Sequence, residues 1–246
     1  MENTIDNLRF IWTLDNSVGF KVIYFIEKVI GKFFHSFRII KEDYILNAKD
    51  FSWLIKARSD MDYIARPNYE KELIPYFKCD GVFIDIGAHM GKWTLFMSKR
   101  ASEVYSFEPN PSTYGYLKSN LLINNTTNVH AVQSAVSDIN GTVRFSPDPV
   151  DTGASMMADG DIEVPCTTLD SFTENIPHIG LIKIDAQEQE IRILNGAKKT
   201  LEKTDRVICE ISNKTEVEKQ GLFDYMALFR FSSTQLPTKI DYLFYK

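Results

Sequence analysis

From residue 81 onward, largely apolar segments of strand length alternate with segments of helix length. The clearest strand segments are VFIDI at 82–86, EVYSF at 103–107 and LIKID at 181–185. Strands without a polar face are typical of a parallel sheet that helices cover on both sides. The alternation therefore predicts a doubly wound α/β fold. A chain of 246 residues is long enough for one large domain of this class or for two small ones.

The remaining segments continue this alternation. Further strands are predicted over 128–134 and 206–211, with helices over 92–100, 111–123 and near 215–229. A polar segment that contains the hairpin-like TVRFS and the strand IEVPC separates the third strand from LIKID. The helix after LIKID is predicted to carry Ile191, Leu194 and Leu201 on one face, because they are spaced by three and seven residues.

Residues 1–78 have a different pattern and are predicted to form a separate segment. It combines a hydrophobic stretch of helix length at 18–34, extended pieces at 38–48 and 52–57, and a short helical run at 68–77. The predicted organisation is thus an N-terminal helix and extended cap over 1–78, followed by the α/β domain over 79–246.

The charge balance and the cysteines argue against several classes of function. With 28 Lys+Arg against 33 Asp+Glu the formal net charge is −5, whereas a nucleic-acid partner requires a concentrated basic surface. Cys79, Cys166 and Cys209 are far apart and lack metal-ligand spacing, so we expect neither a disulfide framework nor a metal site. The first residues are acidic and no run of 18 apolar residues occurs, so the expected compartment is the cytoplasm.

A glycine turn directly follows the first strand of the α/β region. The segment DIGAHMG at 85–91 begins at the carboxyl end of that strand and precedes a helix. Ligands of open α/β sheets bind at this edge, where the strand order reverses. The turn lacks the middle glycine of a dinucleotide fingerprint, so a nicotinamide-dependent oxidoreductase is the weaker alternative.

Glu108 ends the second strand, in SFEPNP, 17 residues after Gly91. An acidic side chain at this place can accept hydrogen bonds from both hydroxyls of a ribose. A glycine turn together with a ribose-binding acid indicates an adenosine ligand without a pyrophosphate. S-adenosylmethionine is therefore the predicted cofactor. The alternative is that Glu108 only caps the helix that begins at Asn110 and Pro111.

An ordered set of motifs resembles the FkbM-type methyltransferases. The motifs are DIGAHMG (85–91), FEPNP (107–111), AVSD (135–138), TLDSF (168–172), LIKIDAQEQEIRILNGA (181–197) and CEI (209–211). The resemblance implies a Rossmann-like class I methyltransferase sheet, mostly parallel with an antiparallel last strand. It also implies S-adenosylmethionine-dependent O-methylation of a hydroxyl on a sugar, a glycan or a related small acceptor.

Position by position, the resemblance implies a cofactor site along one sheet edge. The methionine end falls to Asp85, Gly87 and Gly91, the ribose to Glu108, and the adenine to Ser134 and Ala135, with Ala88, His89 and Asn110 beside them. The chain departs from the family at Glu188, where the family has glycine. We expect this residue to change the shape and the charge of the acceptor pocket.

Three charged residues are predicted to carry the transfer step. Asp185 ends the fourth strand, Lys183 lies two residues earlier on the same face, and Glu210 ends the fifth strand. Methyl transfer requires an aligned acceptor hydroxyl and removal of its proton, so Asp185 is the predicted base within this cluster. A structural ion pair between Lys183 and Glu210 is the alternative, and His89 is a second candidate base.

Two further hypotheses concern the chain as a whole. Because of Glu188, a cofactor-binding module with little turnover is an alternative to an active enzyme. Residues 18–34, taken as one helix, combine a wide apolar face with a lysine ridge. This pattern predicts packing against the α/β domain or a second copy of the chain, or else peripheral contact with an anionic membrane.

Overall fold

The computed structural model describes residues 11–31, 40–56, 61–66, 68–146 and 162–246. These residues form two compact units. The first contains the described residues up to Lys71 together with Lys118–Asn125, and the second contains those of Glu72–Leu117 and Thr126–Lys246. The sequence-based division after residue 78 stays a prediction.

The secondary structure follows the predicted alternation. The strands are β1 (Tyr44–Asn47), β2 (Ser52–Ile55), β3 (Val82–Ile86), β4 (Glu103–Phe107), β5 (Val129–Val132), β6 (Ala135–Val136), β7 (Gly141–Phe145), β8 (Ile162–Thr167), β9 (Leu181–Ile184), β10 (Arg206–Glu210), β11 (Ser232–Gln235) and β12 (Asp241–Tyr245). The α-helices are α1 (Val18–Gly31), α2 (Lys92–Ser98), α3 (Pro111–Ile123), α4 (Leu169–Phe172), α5 (Glu190–Asn195), α6 (Lys198–Glu202) and α7 (Glu216–Ala227). Two 3₁₀ helices span Met61–Ala65 and Lys71–Tyr76.

The second unit is built on a seven-stranded sheet with the order β11-β12-β10-β9-β3-β4-β5. Neighbouring strands from β10 to β5 are parallel, whereas β12 is antiparallel to both β10 and β11. The chain runs outward from β3 through β4 and β5 and later returns to β9 on the other side of β3, so the order reverses between β3 and β9. This topology confirms the predicted fold class. A smaller sheet with the order β6-β8-β7 forms from the polar segment.

Successive residues of the central strands contribute to two different cores, because side chains alternate across a sheet. Ile84 and Ile182 belong to one hydrophobic cluster, and their neighbours Phe83 and Leu181 belong to another. All four residues of β9 are buried, which accords with the predicted cover on both faces. Each fully buried side chain of this kind contributes ~1.5–3 kcal/mol, so the centre of the sheet is the most strongly held part of the unit.

Helix α1 of the first unit exposes an apolar face. Val18, Val22 and Ile26 are 70%, 41% and 38% exposed. Glu27 is instead buried, and its carboxylate accepts a hydrogen bond from the Ile40 N–H at 2.7 Å. No helix in the described part of the chain has both the length and the apolar content needed to cross a membrane. The contact of this face with a membrane or a second copy stays a prediction, and residues 32–34 of the predicted helix lie outside the described residues.

Helix side chains complete the outer edge of the antiparallel β1–β2 hairpin. Asn124 Oδ1 accepts a hydrogen bond from the Ser52 N–H at 2.9 Å, and Asn124 Nδ2 donates to the Ser52 carbonyl at 2.7 Å. Asn120 Oδ1 accepts from the Leu54 N–H at 2.6 Å. Asn120 lies in the last turn of α3 and Asn124 directly follows that helix, so their amides act on β2 in place of a third strand. These bonds explain why residues 118–125 belong to the first unit.

The structure differs from the prediction in the helix after β9. The predicted continuous face is interrupted at Gly196, between the end of α5 and the start of α6. Leu194 and Leu201 are buried as predicted, but Ile191 is 42% exposed and Ile193 is buried in its place. The prediction for Ile191 is therefore wrong, because the buried face of α5 contains Glu190, Ile193 and Leu194, and Ile191 lies beside that face. Strand β11 was not predicted, because its sequence SSTQ is polar. All four of its residues are exposed in the structure.

We expect Asn120→Ala to lower the free energy of unfolding by about 1–3 kcal/mol, because the Leu54 N–H would lose its hydrogen-bond acceptor at a fully buried side chain. Urea unfolding measures this loss. The control is Leu122→Ala on the same helix, where the side chain is 78% exposed and a change within about 0.5 kcal/mol is expected. Equal losses in the two variants would contradict the role given to the Asn120 amide.

Candidate active site

The reversal of strand order brings the predicted site residues to one edge of the sheet. β3, β4, β9 and β10 are parallel, so their carboxyl ends meet at the same edge. Asp85 lies in β3, Glu108 directly follows β4, Asp185 directly follows β9, and Glu210 ends β10. The crevice at such a reversal is the usual ligand site of an open α/β sheet.

The glycine turn after β3 is held in place by backbone hydrogen bonds. The N–H groups of Gly87 and Ala88 donate to the Phe107 carbonyl at 3.0 and 2.9 Å, and the Gly91 N–H donates to the Ala88 carbonyl at 2.9 Å. Gly87 has a φ of +76°, and a Cβ there would lie 1.8 Å from the Asp185 carbonyl oxygen. Glycine is therefore required at position 87 by the close approach of the end of β9.

Glu108 is a buried carboxylate oriented by the turn. Its Oε2 accepts a hydrogen bond from the His89 N–H and its Oε1 accepts one from the Asn110 N–H, both at 2.9 Å. His89 reaches this position with a left-handed φ of +54°. Burial raises the pKa of Glu108 to about 7, although the two N–H groups favour the ionised form. The side chain of Asn110 caps α3 by accepting from the Ser112 N–H at 3.0 Å, so Glu108 is not the capping residue.

Asp85 is fully buried beneath the glycine turn. Its Oδ2 accepts a hydrogen bond from the Thr94 hydroxyl at 2.6 Å, and Thr94 is in turn 2.8 Å from the Ser106 hydroxyl. Its Oδ1 is buried, and no hydrogen-bond partner for it occurs among the described residues. Burial raises the pKa of Asp85, while the Lys183 ammonium opposes this rise. The unpartnered oxygen leaves an acceptor available at the centre of the edge.

Lys183 lies close to both Asp85 of β3 and Asp185 at the end of β9. Its Nζ donates to Asp185 Oδ2 at 2.9 Å, and it lies beside Asp85 in the β3–β9 register. The Lys183 side chain is 5% exposed, whereas that of Asp185 is 26% exposed, so the carboxylate is the accessible member of the pair. Glu210 is half-buried and faces Asp241 across β10 and β12. The structure thus pairs Lys183 with Asp185, and the role of Glu210 stays a prediction.

Two residues with left-handed backbones follow β9. Gln187 and Glu188 have φ values of +47° and +73°, which are strained for residues other than glycine. The Glu188 N–H donates to Glu190 Oε1 at 2.9 Å, and Glu188 Oε1 accepts from Asn213 Nδ2 at 3.2 Å. Asn213 also has a left-handed φ, of +54°. The backbone of Glu188 therefore has a conformation that favours glycine. Its hydrogen bond with Asn213 links the loops that follow β9 and β10.

Ser134 and Ala135 lie next to the Glu108 segment. The N–H groups of Ser134 and Glu108 both donate to the Val132 carbonyl at 3.1 Å. The Ser134 hydroxyl donates to the carbonyls of Ala135 and Pro165, at 2.8 and 3.1 Å, which connects this turn to β8. The predicted adenine side is thus adjacent to the predicted ribose acid. A direct role of either residue in binding stays a prediction.

Sequence analysis missed three residues of this edge. Thr94 and Ser106 hold Asp85, and Asn213 holds Glu188. The available signal for Thr94 and Ser106 was a polar residue at a position that the α/β pattern predicts to be buried. For Asn213 there was no such signal, because the residue follows β10 in a polar segment.

A family model described as the methyltransferase FkbM domain matches residues 85–232, which is more than half of the chain. The chain belongs to the FkbM methyltransferase family. Hexuronic acid methyltransferase AglP of Haloferax volcanii is 27% identical over 136 residues, which cover 54% of this chain and 56% of that protein. 2-O-methyltransferase NoeI of Sinorhizobium fredii is 27% identical over 167 residues, which cover 58% of this chain and 68% of that protein.

A similar fold occurs in the solved structure of precorrin-6y C5,15-methyltransferase from Geobacter metallireducens. The overlap covers 76% of this chain and 93% of that chain, with 11% identity and a TM-score of 0.48. The match to AglP spans little more than half the length of that relative. The family and the fold class predicted from the sequence are confirmed by the family match and by the sheet topology.

We expect the stability of the ligand-free protein to depend on pH through Glu108. Its pKa in the folded state, about 7, is above the ordinary value of 4.5, so folding favours the protonated carboxyl group. The stability of the protein is therefore highest below pH 4.5 and decreases as the pH rises to 7. Glu108→Gln stays neutral, so the free energy of unfolding of this variant should fall less than that of the wild type between pH 5 and pH 8. The difference between the two falls should reach ~3 kcal/mol.

Urea unfolding at the two pH values measures this difference. Glu174→Gln is the matched control, because Glu174 is exposed in the turn after α4. The burial argument would be wrong if Glu108→Gln followed the wild-type pH dependence.

We expect Glu188→Gly to be about 1 kcal/mol more stable than Glu188→Ala. Both changes remove the hydrogen bond from Asn213, but only glycine adopts a φ of +73° without strain. Urea unfolding of the two variants measures the difference. At Asp224, an exposed position inside α7, the order should be the reverse, with Ala more stable than Gly by about 1 kcal/mol.

Proposed function

We propose that this chain is an S-adenosylmethionine-dependent O-methyltransferase that acts on a hydroxyl of a sugar or glycan. The observation that carries the proposal is the arrangement at the reversal of strand order. An oriented buried carboxylate, Glu108, lies on one side of β3, and an accessible carboxylate, Asp185, lies on the other. Family membership supports methyl transfer as the reaction.

The residues on the β3–β4 side fit the cofactor. Glu108 has both oxygens fixed by backbone N–H groups, which leaves further lone pairs for the two ribose hydroxyls. The turn ends at Gly91, which has a φ of +97° and where a Cβ would lie 2.7 Å from Leu117 Cδ1. The buried Asp85 Oδ1, for which the described residues supply no donor, suits a ligand ammonium group. Ser134 and Ala135 extend this side towards the adenine.

The residues on the β9–β10 side suit an acceptor hydroxyl. Bound S-adenosylmethionine supplies an activated methyl group, so the chain has to align the hydroxyl and remove its proton. Asp185 receives that proton as the new oxygen–carbon bond forms and the electron pair of the breaking bond stays on sulfur. Lys183 fixes one Asp185 oxygen by a hydrogen bond of 2.9 Å and leaves the other for the acceptor.

The descriptions of two relatives support a sugar acceptor. One is named for a hexuronic acid and the other for 2-O-methylation. Each is only 27% identical to this chain, so the sugar and the position methylated are decided by local residues rather than by overall similarity.

We expect Glu108→Ala and Asp185→Asn to separate cofactor binding from turnover. Glu108→Ala should weaken S-adenosylmethionine binding by at least about tenfold, because the buried ribose hydroxyls would lose a charged acceptor. Asp185→Asn should keep the affinity within about twofold but lower kcat by at least about tenfold, because an amide cannot take the proton. Calorimetry measures the affinity, and transfer of a labelled methyl group to a panel of sugars measures turnover.

Two results would overturn these assignments. Unchanged cofactor affinity in Glu108→Ala would remove that residue from the ribose site. Full turnover in Asp185→Asn would place the base elsewhere, and Glu210 and His89 would then be the next residues to substitute. Cofactor binding without transfer to any acceptor would favour a binding module instead.

A further inference from the structure

Carboxylates dominate the acceptor side of the proposed site. Asp185 follows β9, Glu188 is exposed on the next loop, Glu190 begins α5, and Glu210 ends β10. Glu190 is only 2% exposed, and its Oε2 is buried with no hydrogen-bond partner among the described residues. Three of these four carboxylates are at least partly accessible, so a ligand entering at this edge meets negative charge.

Several carboxylates lie near the buried thiol of Cys209. Burial raises its pKa well above the ordinary value, and the nearby charges that add to the rise are all carboxylates: Glu190, Asp241, Asp185 and Glu210. Two lysines are close to the same edge. Lys183 donates a hydrogen bond to Asp185, and the charge of Lys214 acts on Glu190. The four acids of the acceptor side thus outnumber the lysines.

Among the described residues, no lysine or arginine forms an ion pair with the exposed Glu188 carboxylate. Its hydrogen-bond partner is the neutral amide of Asn213, at 3.2 Å. The left-handed φ of +73° and the bond to Asn213 fix where the carboxylate lies.

We propose that the Glu188 carboxylate, held by Asn213 on the loop that follows Asp185, selects against sugar acceptors that carry a carboxylate. This inference rests on the proposed function and narrows its substrate class to neutral or amino sugars. Like charges repel more strongly at the surface of a protein than in bulk water, because the effective dielectric constant is lower. We expect a discrimination of at least about tenfold, which corresponds to 1.4 kcal/mol.

The test compares matched pairs of acceptors that differ in one carboxylate. Methyl glucoside and methyl glucuronide, the corresponding galactose pair and the mannose pair are incubated with the full chain and labelled S-adenosylmethionine. The neutral member should have the higher kcat/KM by at least about tenfold, mainly through KM. The ratio should shrink as the salt concentration rises from about 0.1 to about 1 M, because salt screens the repulsion between the two carboxylates. The Debye length falls from about 10 Å to about 3 Å over this range.

Glu188→Gln isolates the charge. Its amide oxygen can still accept from Asn213, so the loop connection is kept, and the ratio of neutral to acidic acceptor should fall by about tenfold. Glu103→Gln is the matched control, because Glu103 begins β4 at the opposite edge of the sheet and should leave the ratio unchanged.

The outcomes are distinguishable. Equal or better use of the uronides by the wild type, or an unchanged ratio in Glu188→Gln, would overturn the charge selection while leaving the proposed transfer reaction intact. Absence of transfer to every sugar, with S-adenosylmethionine bound, would overturn the sugar acceptor itself, and the charge selection would fall with it.

Discussion

The contact between Gly87 and the Asp185 carbonyl is the constraint on which the rest of the site depends. At this point the outward and the returning halves of the sheet meet, and a side chain as small as a methyl group would lie 1.8 Å from a backbone oxygen. The absence of a Cβ lets β3 and β9 continue side by side to their carboxyl ends. The glycine turn, which orients Glu108, and the Lys183–Asp185 pair are therefore adjacent because the backbones are in contact.

The same edge concentrates buried negative charge. Burial raises the pKa of Asp85, Glu108 and Glu190, so ionising these groups opposes folding of the ligand-free chain. The hydrogen bonds that hold them come from backbone N–H groups and from the Thr94 hydroxyl, which orient a carboxylate without cancelling its charge. A cationic ligand bound at this edge would stabilise the ionised carboxylates. S-adenosylmethionine is such a ligand, because its sulfonium carries a positive charge.

Local patterns predicted the elements that determine the fold. The bounds of β3, β4 and α3 agree with the prediction, because apolar strands and a proline at the first helical position are signals within the segment itself. Ile191 was predicted wrongly because α5 buries the face of Ile193 and Leu194, and packing against distant parts of the chain decides which face of this short helix is buried. The roles of Thr94 and Asn213 also depend on partners distant in the chain. The family resemblance predicted an added charge at Glu188, but the left-handed backbone there and the hydrogen bond from Asn213 appear only in the structure.

The β1–β2 hairpin shows how a small sheet can avoid unwanted association. On the outer side of β1, Asn16 accepts a hydrogen bond from the Asn47 N–H at 2.9 Å and donates to the Ile45 carbonyl at 2.8 Å. On the outer side of β2, the amides of Asn120 and Asn124 occupy the corresponding groups of Leu54 and Ser52. Exposed strand edges are templates for aggregation and domain swapping. Asparagine amides at both edges leave an incoming strand of another chain fewer groups to pair with, so the hairpin is protected against edge-to-edge growth.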